Sequence, residues 1–308
     1  MWTFAEKERE CERRFEKSGP FWHLYTDGRI MEDFLYTEGD FKIAMTALAV
    51  ATILFRKVRI ITFELMSNHI HLILSGEAED CLELFDKFKV RLRRVLKTNG
   101  RVIYWDTFKA DTLPIETLNA LRNEIIYVNR NAFVADPRFT PFSYPWGGGC
   151  AYFLPSFHRL PAKPLKESGF NKAREMTRFR EVRMIEEMRF VGDIAYIPSF
   201  CRIDIGESMF RDARSYFNSL TRNAEAFSQI AQRLKDSVFL TDDEMYAAAT
   251  MYAEKTYGNR QLTLLTSEQK IQMSKELHFK YNASNQQIRR LLKLDIGILN
   301  ELFPQQSS

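Results

Sequence analysis

The chain has 308 residues, of which 44 are basic and 40 acidic, so its formal net charge is only +4. Hydrophobic residues make up 45% and charged residues 27%, which excludes a disordered tail and leaves room for one large domain or two of ordinary size. The four cysteines, at positions 11, 81, 150 and 201, lack zinc-site spacing and are too few for a secreted disulfide scaffold, so we expect a reduced, cytoplasmic environment.

The sequence indicates neither a signal peptide nor a membrane span. The N-terminus continues into a mixed-charge run at residues 6–17, where a signal peptide would have an apolar core. The most apolar window, residues 43–55, has 13 residues and is too short to cross a bilayer. We therefore interpret this window as a buried helix and expect no membrane partner.

Strand and helix patterns alternate along the first half of the chain. In chain order, they predict a strand at 21–26, a helix at 40–55, strands at 58–66 and 69–74, a helix at 79–97, a strand at 102–108 and a helix at 114–131. Ser67 and Asn68 form the turn of a hairpin, and Pro114 is placed at the first position of the last helix. The order β-α-β-β-α-β-α predicts an antiparallel sheet with helices on one face.

A pair of histidines lies in the second strand of the hairpin. His69 and His71 are separated by one residue, and strand side chains alternate, so both imidazoles leave the same face. The apolar residues that alternate with them would face the core, which places the two imidazoles on the open face of the sheet. Two neutral imidazoles at this spacing can chelate a divalent metal. The alternative is two exposed histidines without a ligand.

The helix predicted at 114–131 carries a polar pair outside its apolar stripe. Tyr127 lies about 200° around the helix from the core position Ile125. Asn131 is one turn further along on the same face as Tyr127. By itself, such a pair is also typical of the rim of an amphipathic helix.

Seven basic residues fall within 15 positions that contain no acidic residue: Lys87, Lys89, Arg91, Arg93, Arg94, Lys97 and Arg101. On a helix these positions spread around most of the circumference, so at least one face is strongly positive. A solvated surface helix would give the same pattern.

Four segments of the first half share their order and spacing with a known family. They are residues 23–28 (HLYTDG), 65–74 (LMSNHIHLIL), 127–131 (YVNRN) and 144–146 (YPW), the last followed by Tyr152. Together they resemble the single-tyrosine HUH transposases, and most of all the branch that includes the REP-associated tyrosine transposases. The resemblance covers about residues 20–155. One departure is Ala132, which stands where the family usually has proline.

The resemblance implies a ferredoxin-like split β-α-β catalytic domain of the HUH endonuclease type. His69 and His71 would hold a divalent ion, Mg²⁺ or Mn²⁺, with Asn131 as the third ligand. Tyr127 would attack a phosphodiester and form a covalent 5′-phosphotyrosine, releasing a 3′-hydroxyl. A second 3′-hydroxyl would reverse the step and join strands.

The resemblance also implies partners. The substrate would be single-stranded or hairpin-bearing DNA, and the seven basic residues, on a helix beside the histidine face, would contact its backbone. The protein is expected to form a homodimer in the bacterial cytoplasm and to associate with the nucleoid when bound to DNA. The alternatives are a domesticated, non-catalytic DNA-binding regulator, and a related HUH replication or relaxase nuclease.

Three domains are predicted: a catalytic domain at 1–155, a helical linker or extension at 156–240, and an all-α C-terminal domain at 241–308. Prolines indicate a linker at 155–164, and a mixed-charge helix is expected at 171–189.

The C-terminal domain is expected to contain three closing helices, at about 267–281, 284–293 and 296–303. Capping-box patterns begin at Thr241 and Thr266. The stretch 284–294 resembles the middle of a helix-turn-helix unit. The last helix has no basic residue, so both DNA-groove reading and a plain packing or partner-binding role stay open.

Overall fold

The computed structural model describes residues 2–28, 32–98, 103, 105–135, 138–140, 142–220, 224–234 and 240–304. The chain forms two compact units, Met1–Phe217 and Asn218–Ser308. The first unit is mixed α+β, and the regular elements described in the second are helices. The predicted boundary at residue 155 falls inside the first unit.

The first half of the first unit alternates helices and strands. Its elements are α1 (Phe4–Ser18), β1 (Phe21–Thr26), α2 (Glu38–Leu54), β2 (Arg59–Leu65), β3 (Ile70–Ser75), α3 (Ala78–Thr98), β4 (Ala110–Ile115) and α4 (Leu118–Ala135). From β1 onward this is the predicted order, and the α+β class is confirmed. Helix α1 was not predicted. It begins at a capping box in which the Thr3 hydroxyl accepts from Glu6 N and the Glu6 side chain accepts from Thr3 N.

Four strands form one sheet in the order β2-β3-β1-β4, and every neighbouring pair is antiparallel. The β2–β3 hairpin is closed by a hydrogen bond from Met66 N to His69 O, which confirms the predicted turn. The register pairs His71 with Tyr25 on one side and with Glu64 on the other. Because directly opposed residues share a face, these three side chains leave the same face of the sheet.

Helices cover both faces of this sheet, so the prediction of helices on one face is wrong. Helices α2 and α3 pack on each other and on the sheet, whereas α4 packs on β2 and β3. Glu124 and Tyr127 of α4 contact His23 and His71, which places α4 on the histidine face. Every residue of β3 is buried, so α2 and α3 cover the opposite face.

The strand predicted at 102–108 is also wrong, since the fourth strand is β4 at 110–115. Residues 105–107 form a turn, and positions 102 and 104 lie outside the described residues. The aromatic residues that suggested a strand serve the core instead: Trp105 and Phe108 pack with Phe34 at ring-centroid distances of 6.5 and 5.0 Å.

Pro114 lies in β4, opposite Trp22, and does not begin the helix. Proline lacks an N–H, and an edge strand tolerates this because one side of its ladder is unpaired. Helix α4 begins at Leu118, after Thr117, whose hydroxyl accepts from Ala120 N.

The second half of the first unit is not the predicted helical extension. It contains α5 (Pro155–His158), β5 (Lys163–Pro164), α6 (Phe170–Thr177), β6 (Arg189–Val191), β7 (Ile194–Ala195), α7 (Ile203–Ser208) and the start of α8 (Ala213–Leu220). Strands β5, β6 and β7 form a small second sheet. The helix predicted at 171–189 ends at Thr177, because Arg178 adopts a left-handed conformation with φ of 49°.

The second unit contains α9 (Ala224–Leu234), α10 (Asp242–Tyr257), α11 (Ser267–Tyr281), α12 (Asn285–Leu292) and α13 (Ile296–Leu302). The three closing helices lie where they were predicted, and the capping boxes at Thr241 and Thr266 are both formed. A third capping box, at Ser284, begins α12. Among the described residues, the helices are too short or too polar to cross a membrane.

Candidate active site

The two histidines of the hairpin lie side by side beneath α4. Their ring centroids are 5.0 Å apart and the rings are nearly perpendicular. His71 is 1% exposed, and His69, in the turn before β3, is half-buried. The prediction that they share one face agrees with this proximity, but the face is not open, because α4 covers it.

Hydrogen bonds engage the Nδ1 atom of each histidine. His69 Nδ1 lies 2.7 Å from Asn68 Oδ1, and the Asn68 amide donates to Gly28 O at 2.8 Å, which orients its oxygen toward His69. A Cβ at Gly28 would lie 2.8 Å from His69 Nδ1, so only glycine fits there without a shift. His71 Nδ1 lies 3.0 Å from His23 Nε2.

Because the Nδ1 atoms are engaged in this way, coordination of a metal by His69 and His71 would use Nε2, and both Nε2 atoms are buried. Imidazole nitrogens held through their opposite ring atom are the usual form of a metal-binding histidine. Glu64, which is 2% exposed, lies opposite His71 on the same face. The two imidazole nitrogens by themselves fit a divalent cation that accepts nitrogen ligands.

The remaining ligands for such a cation have to be of other types. In the part of the chain that the structure describes, no three His, Cys, Asp or Glu side chains are grouped to hold a metal. Mg²⁺ and Mn²⁺ accept amide oxygens and keep several waters. Asn131 is buried on α4, one turn after Tyr127, and its assignment as third ligand stays a prediction.

Tyr127 packs directly against His71 and His23. Its ring centroid lies 5.7 Å from that of His71 and 6.2 Å from that of His23, both edge to face. The residue is 6% exposed. The structure thus brings together Tyr127 and His71, which are far apart in sequence and were singled out for separate reasons.

Two residues of the site were not assigned a role from the sequence. His23 Nδ1 lies 2.7 Å from Glu124 Oε2, and the two side chains are 0% and 3% exposed. Glu124 precedes Tyr127 by three positions, so helical spacing places both on one side of α4. The spacing of Glu124 and Tyr127 was therefore a signal that the sequence offered. The partner of Glu124 is His23 on β1, and no local sequence pattern indicates that pairing.

Buried hydrogen bonds fix α4 on the sheet. The Asn129 amide donates to the Tyr216 hydroxyl at 3.0 Å, and its oxygen accepts from the Thr62 hydroxyl of β2. Burial raises the pKa of Tyr216 above its ordinary value, so this phenol stays protonated. A helix held this way gives Tyr127 a defined position over β3.

Cysteines offer no competing nucleophile in this unit. Cys11, Cys81, Cys150 and Cys201 are free and buried. Burial raises the pKa of Cys81 and of Cys150 to about 12, so neither is a thiolate near neutral pH.

The basic residues of α3 lie across the sheet from this site, which corrects their expected position beside it. Helix α3 packs with α2, on the face opposite His71 and Tyr127. The reason is that the two helices that connect strands, α2 and α3, occupy one face, whereas α4, which follows β4, packs on the other.

The described basic residues of α3 differ in their surroundings. Three of them contact other residues of the same unit: Lys87 pairs with Glu83, Lys89 donates to Phe108 O, and Arg91 stacks over Phe179. Arg93, Arg94 and Lys97 are exposed, and so is Lys87, which pairs with Glu83. Arg101 lies outside the described residues. We therefore expect Arg93, Arg94 and Lys97 to be the members that contact a DNA phosphate.

No protein-family model, curated protein or solved structure matches the chain.

Proposed function

We propose that this protein is a metal-dependent endonuclease that nicks and rejoins single-stranded DNA through Tyr127, as a single-tyrosine transposase would. The observation that carries the proposal is the packing of the Tyr127 ring against His71, with the buried Nε2 atoms of His69 and His71 in the same site. A nucleophile beside two potential metal ligands is an arrangement that metal-assisted phosphodiester exchange can use.

The topology supports a ferredoxin-like fold of the HUH type. Read from the other edge, the strand order is β4-β1-β3-β2, and the chain runs β-α-β-β-α-β through it. This is the arrangement of a split β-α-β sheet. Strand β3, which follows His69 and carries His71, lies inside the sheet, where its register is fixed on both sides.

In the proposed reaction, Tyr127 Oη attacks the phosphorus of the scissile phosphodiester. Tyr127 loses its phenolic proton, the bond from phosphorus to the 3′-oxygen breaks, and that oxygen takes up one proton. A 3′-hydroxyl and a 5′-phosphotyrosine remain. A divalent ion held by His69, His71 and Asn131 would offset the charge that develops on the phosphate. The phosphotyrosine retains the bond energy, so another 3′-hydroxyl reverses the step without a nucleotide cofactor.

Burial of the nucleophile sets a requirement on the substrate. Tyr127 is only 6% exposed. Because the residue is almost fully covered, we infer that DNA binding includes a local opening of this site.

The test incubates the full chain with Mn²⁺ and hairpin-bearing single-stranded DNA and looks for a covalent protein–DNA adduct on a denaturing gel. We expect an adduct in the wild type, none in Tyr127→Phe, and none after chelation of the metal. Tyr36→Phe, which alters an exposed tyrosine of the same unit, is the matched control and should leave the adduct unchanged.

An adduct that persists in Tyr127→Phe would refute the assignment of the nucleophile. Hairpin binding without any adduct, unaffected by His69→Ala, would instead support a non-catalytic DNA-binding regulator. The homodimer stays a prediction, and both groove reading and a packing or partner-binding role stay open for α13.

A further inference from the structure

Two buried side chains, Glu124 and His23, form a continuous chain of hydrogen bonds that ends at the proposed metal ligand His71. Glu124 Oε2 lies 2.7 Å from His23 Nδ1, and His23 Nε2 lies 3.0 Å from His71 Nδ1. As whole residues, Glu124 is 2% exposed, His23 0% and His71 1%. These hydrogen bonds join α4 to β1 and β1 to β3.

The chemistry of the three groups gives this chain a direction. An ionised carboxylate only accepts, so the proton on the first contact belongs to His23 Nδ1. A neutral His23 then has its lone pair on Nε2 and accepts from His71 Nδ1–H. His71 is left with its lone pair on Nε2, the buried atom on the side of its ring away from His23.

The reverse direction would be incompatible with a cation. If His23 donated through Nε2, a neutral His71 would carry its proton on its own Nε2, and that nitrogen could not bind a metal. When both histidines are neutral, the carboxylate at the end of these hydrogen bonds therefore decides whether His71 presents a lone pair or a proton to the site.

We propose that Glu124 and His23 are positioning residues, which hold the His71 ring and its Nδ1–H tautomer so that Nε2 is ready for a divalent cation. This inference rests on the proposed function. Partners behind a metal-binding histidine typically change metal affinity by about 10- to 100-fold when they are removed.

The same contacts couple the nucleophile to the metal ligands. Glu124 and Tyr127 are one turn apart on α4, so the helix that presents the nucleophile also anchors His71. His69 is held differently, through Asn68 and Gly28. A change at Glu124 should therefore act on the His71 side of the site and leave the orientation of His69 intact.

The first measurement is the affinity of the full polypeptide chain for Mn²⁺ without DNA. Binding is detected as a loss of the electron paramagnetic resonance signal of the free ion. Glu124→Gln and Glu124→Leu remove the same charge, but only glutamine keeps an oxygen that accepts from His23. We expect Glu124→Leu to bind Mn²⁺ about tenfold or more weakly than Glu124→Gln, and His23→Phe to resemble Glu124→Leu.

Glu8→Gln is the matched control. It removes a carboxylate that is hydrogen-bonded to the same helix, through Arg122, but outside the chain of Glu124, His23 and His71. Its Mn²⁺ affinity should equal that of the wild type.

A second measurement needs no variant to fold. Nitrogen chemical shifts of ¹⁵N-histidine in the wild-type protein report which ring nitrogen of His71 carries the proton. We expect the Nδ1–H tautomer, and the Nε2–H tautomer would overturn the inference.

Two further results separate the positioning role from the proposed function. If the wild type binds Mn²⁺ and Glu124→Leu, His23→Phe and Glu124→Gln all bind it with the same affinity as each other, the positioning role is overturned. The proposed function is unaffected by that result. A wild-type protein that binds no Mn²⁺ would overturn the metal-dependent function itself.

Discussion

His69, His71 and Tyr127 could be found from the sequence because each signal is local. Strand alternation places the two imidazoles on one face, and helical spacing separates Tyr127 from the apolar stripe. Glu124 and His23 could not be paired in this way, because they are 101 positions apart. Local periodicity identifies the face of an element, but the partner on that face is decided by packing.

A glycine of α7 gives a stability prediction at the same scale. A Cβ at Gly206 would lie 1.8 Å from Tyr152 Oη. Tyr152 cannot easily move, because it is 0% exposed and its hydroxyl donates to Ile61 O at 2.9 Å. We expect Gly206→Ala to lower the free energy of unfolding by about 1–3 kcal/mol, measured by urea denaturation.

Gly39→Ala is the control for this substitution. Gly39 is the second residue of α2, and the nearest atom to its added Cβ is Thr37 Oγ1, at 3.6 Å. Alanine there should be neutral or stabilise by about 0.4–1 kcal/mol. Equal stability of the Gly206 and Gly39 variants would show that Tyr152 yields space without cost.

At the scale of elements, the hairpin, α2 and α3 were predictable from periodicity and turn residues. Pro114 was misplaced because proline is tolerated both at the start of a helix and on an edge strand. Which of the two applies depends on whether β1 pairs with the segment, and that pairing is a long-range contact. The face covered by α4 depends on long-range contacts in the same way.

Helix α1, which was not predicted, is anchored to α4 by a pH-sensitive contact. Arg122 donates to the two Glu8 carboxylate oxygens at 2.6 and 3.1 Å. This hydrogen bonding lowers the pKa of Glu8 below its ordinary value. A carboxyl with a lowered folded-state pKa stabilises fully above its unfolded pKa, about 4.3, and loses that stabilisation as pH falls through the folded value.

We therefore expect Glu8→Gln to reduce the free energy of unfolding at pH 7 by at most about 1 kcal/mol, because the pair is partly exposed. Below the lowered pKa of Glu8, the difference between variant and wild type should vanish. Urea denaturation at pH 7 and at successively lower pH measures both. A difference that persists unchanged in acid would contradict an electrostatic origin.

For the whole molecule, the net charge of +4 conceals how charge is distributed. The site contains buried carboxylates at Glu64 and Glu124, whereas the exposed cations Arg93, Arg94 and Lys97 lie on the other side of the sheet. Such a separation would suit the proposed function, in which one surface binds the phosphate backbone of a DNA strand and another surface cuts that strand.

This separation predicts different effects on binding and on cleavage. Replacing Arg93, Arg94 and Lys97 by glutamine should weaken the binding of single-stranded DNA. It should also make the slope of log K against log salt concentration less negative, by about 0.7 for each phosphate that is no longer neutralised. The rate of adduct formation at saturating DNA should not change, because Tyr127 lies across the sheet. Fluorescence anisotropy at several salt concentrations and single-turnover assays measure the two quantities.

The matched control replaces the same residue types on α1, namely Arg13, Arg14 and Lys17, which are also exposed. It removes the same charge from another surface and should weaken binding less. Equal weakening by both triple variants would show that only overall charge matters.

By itself, the sequence determined the α+β class, the hairpin with its histidine pair and the capped helices of the C-terminal unit. It also indicated His71 and Tyr127, each separately, as candidate site residues. Each depends on residues a few positions apart, where backbone geometry links spacing to direction. Only the tertiary structure decided that α4 covers the histidine face, that Glu124 and His23 stand behind His71, and that α3 lies opposite. These are contacts between elements distant in the chain, and packing and buried hydrogen bonds select them.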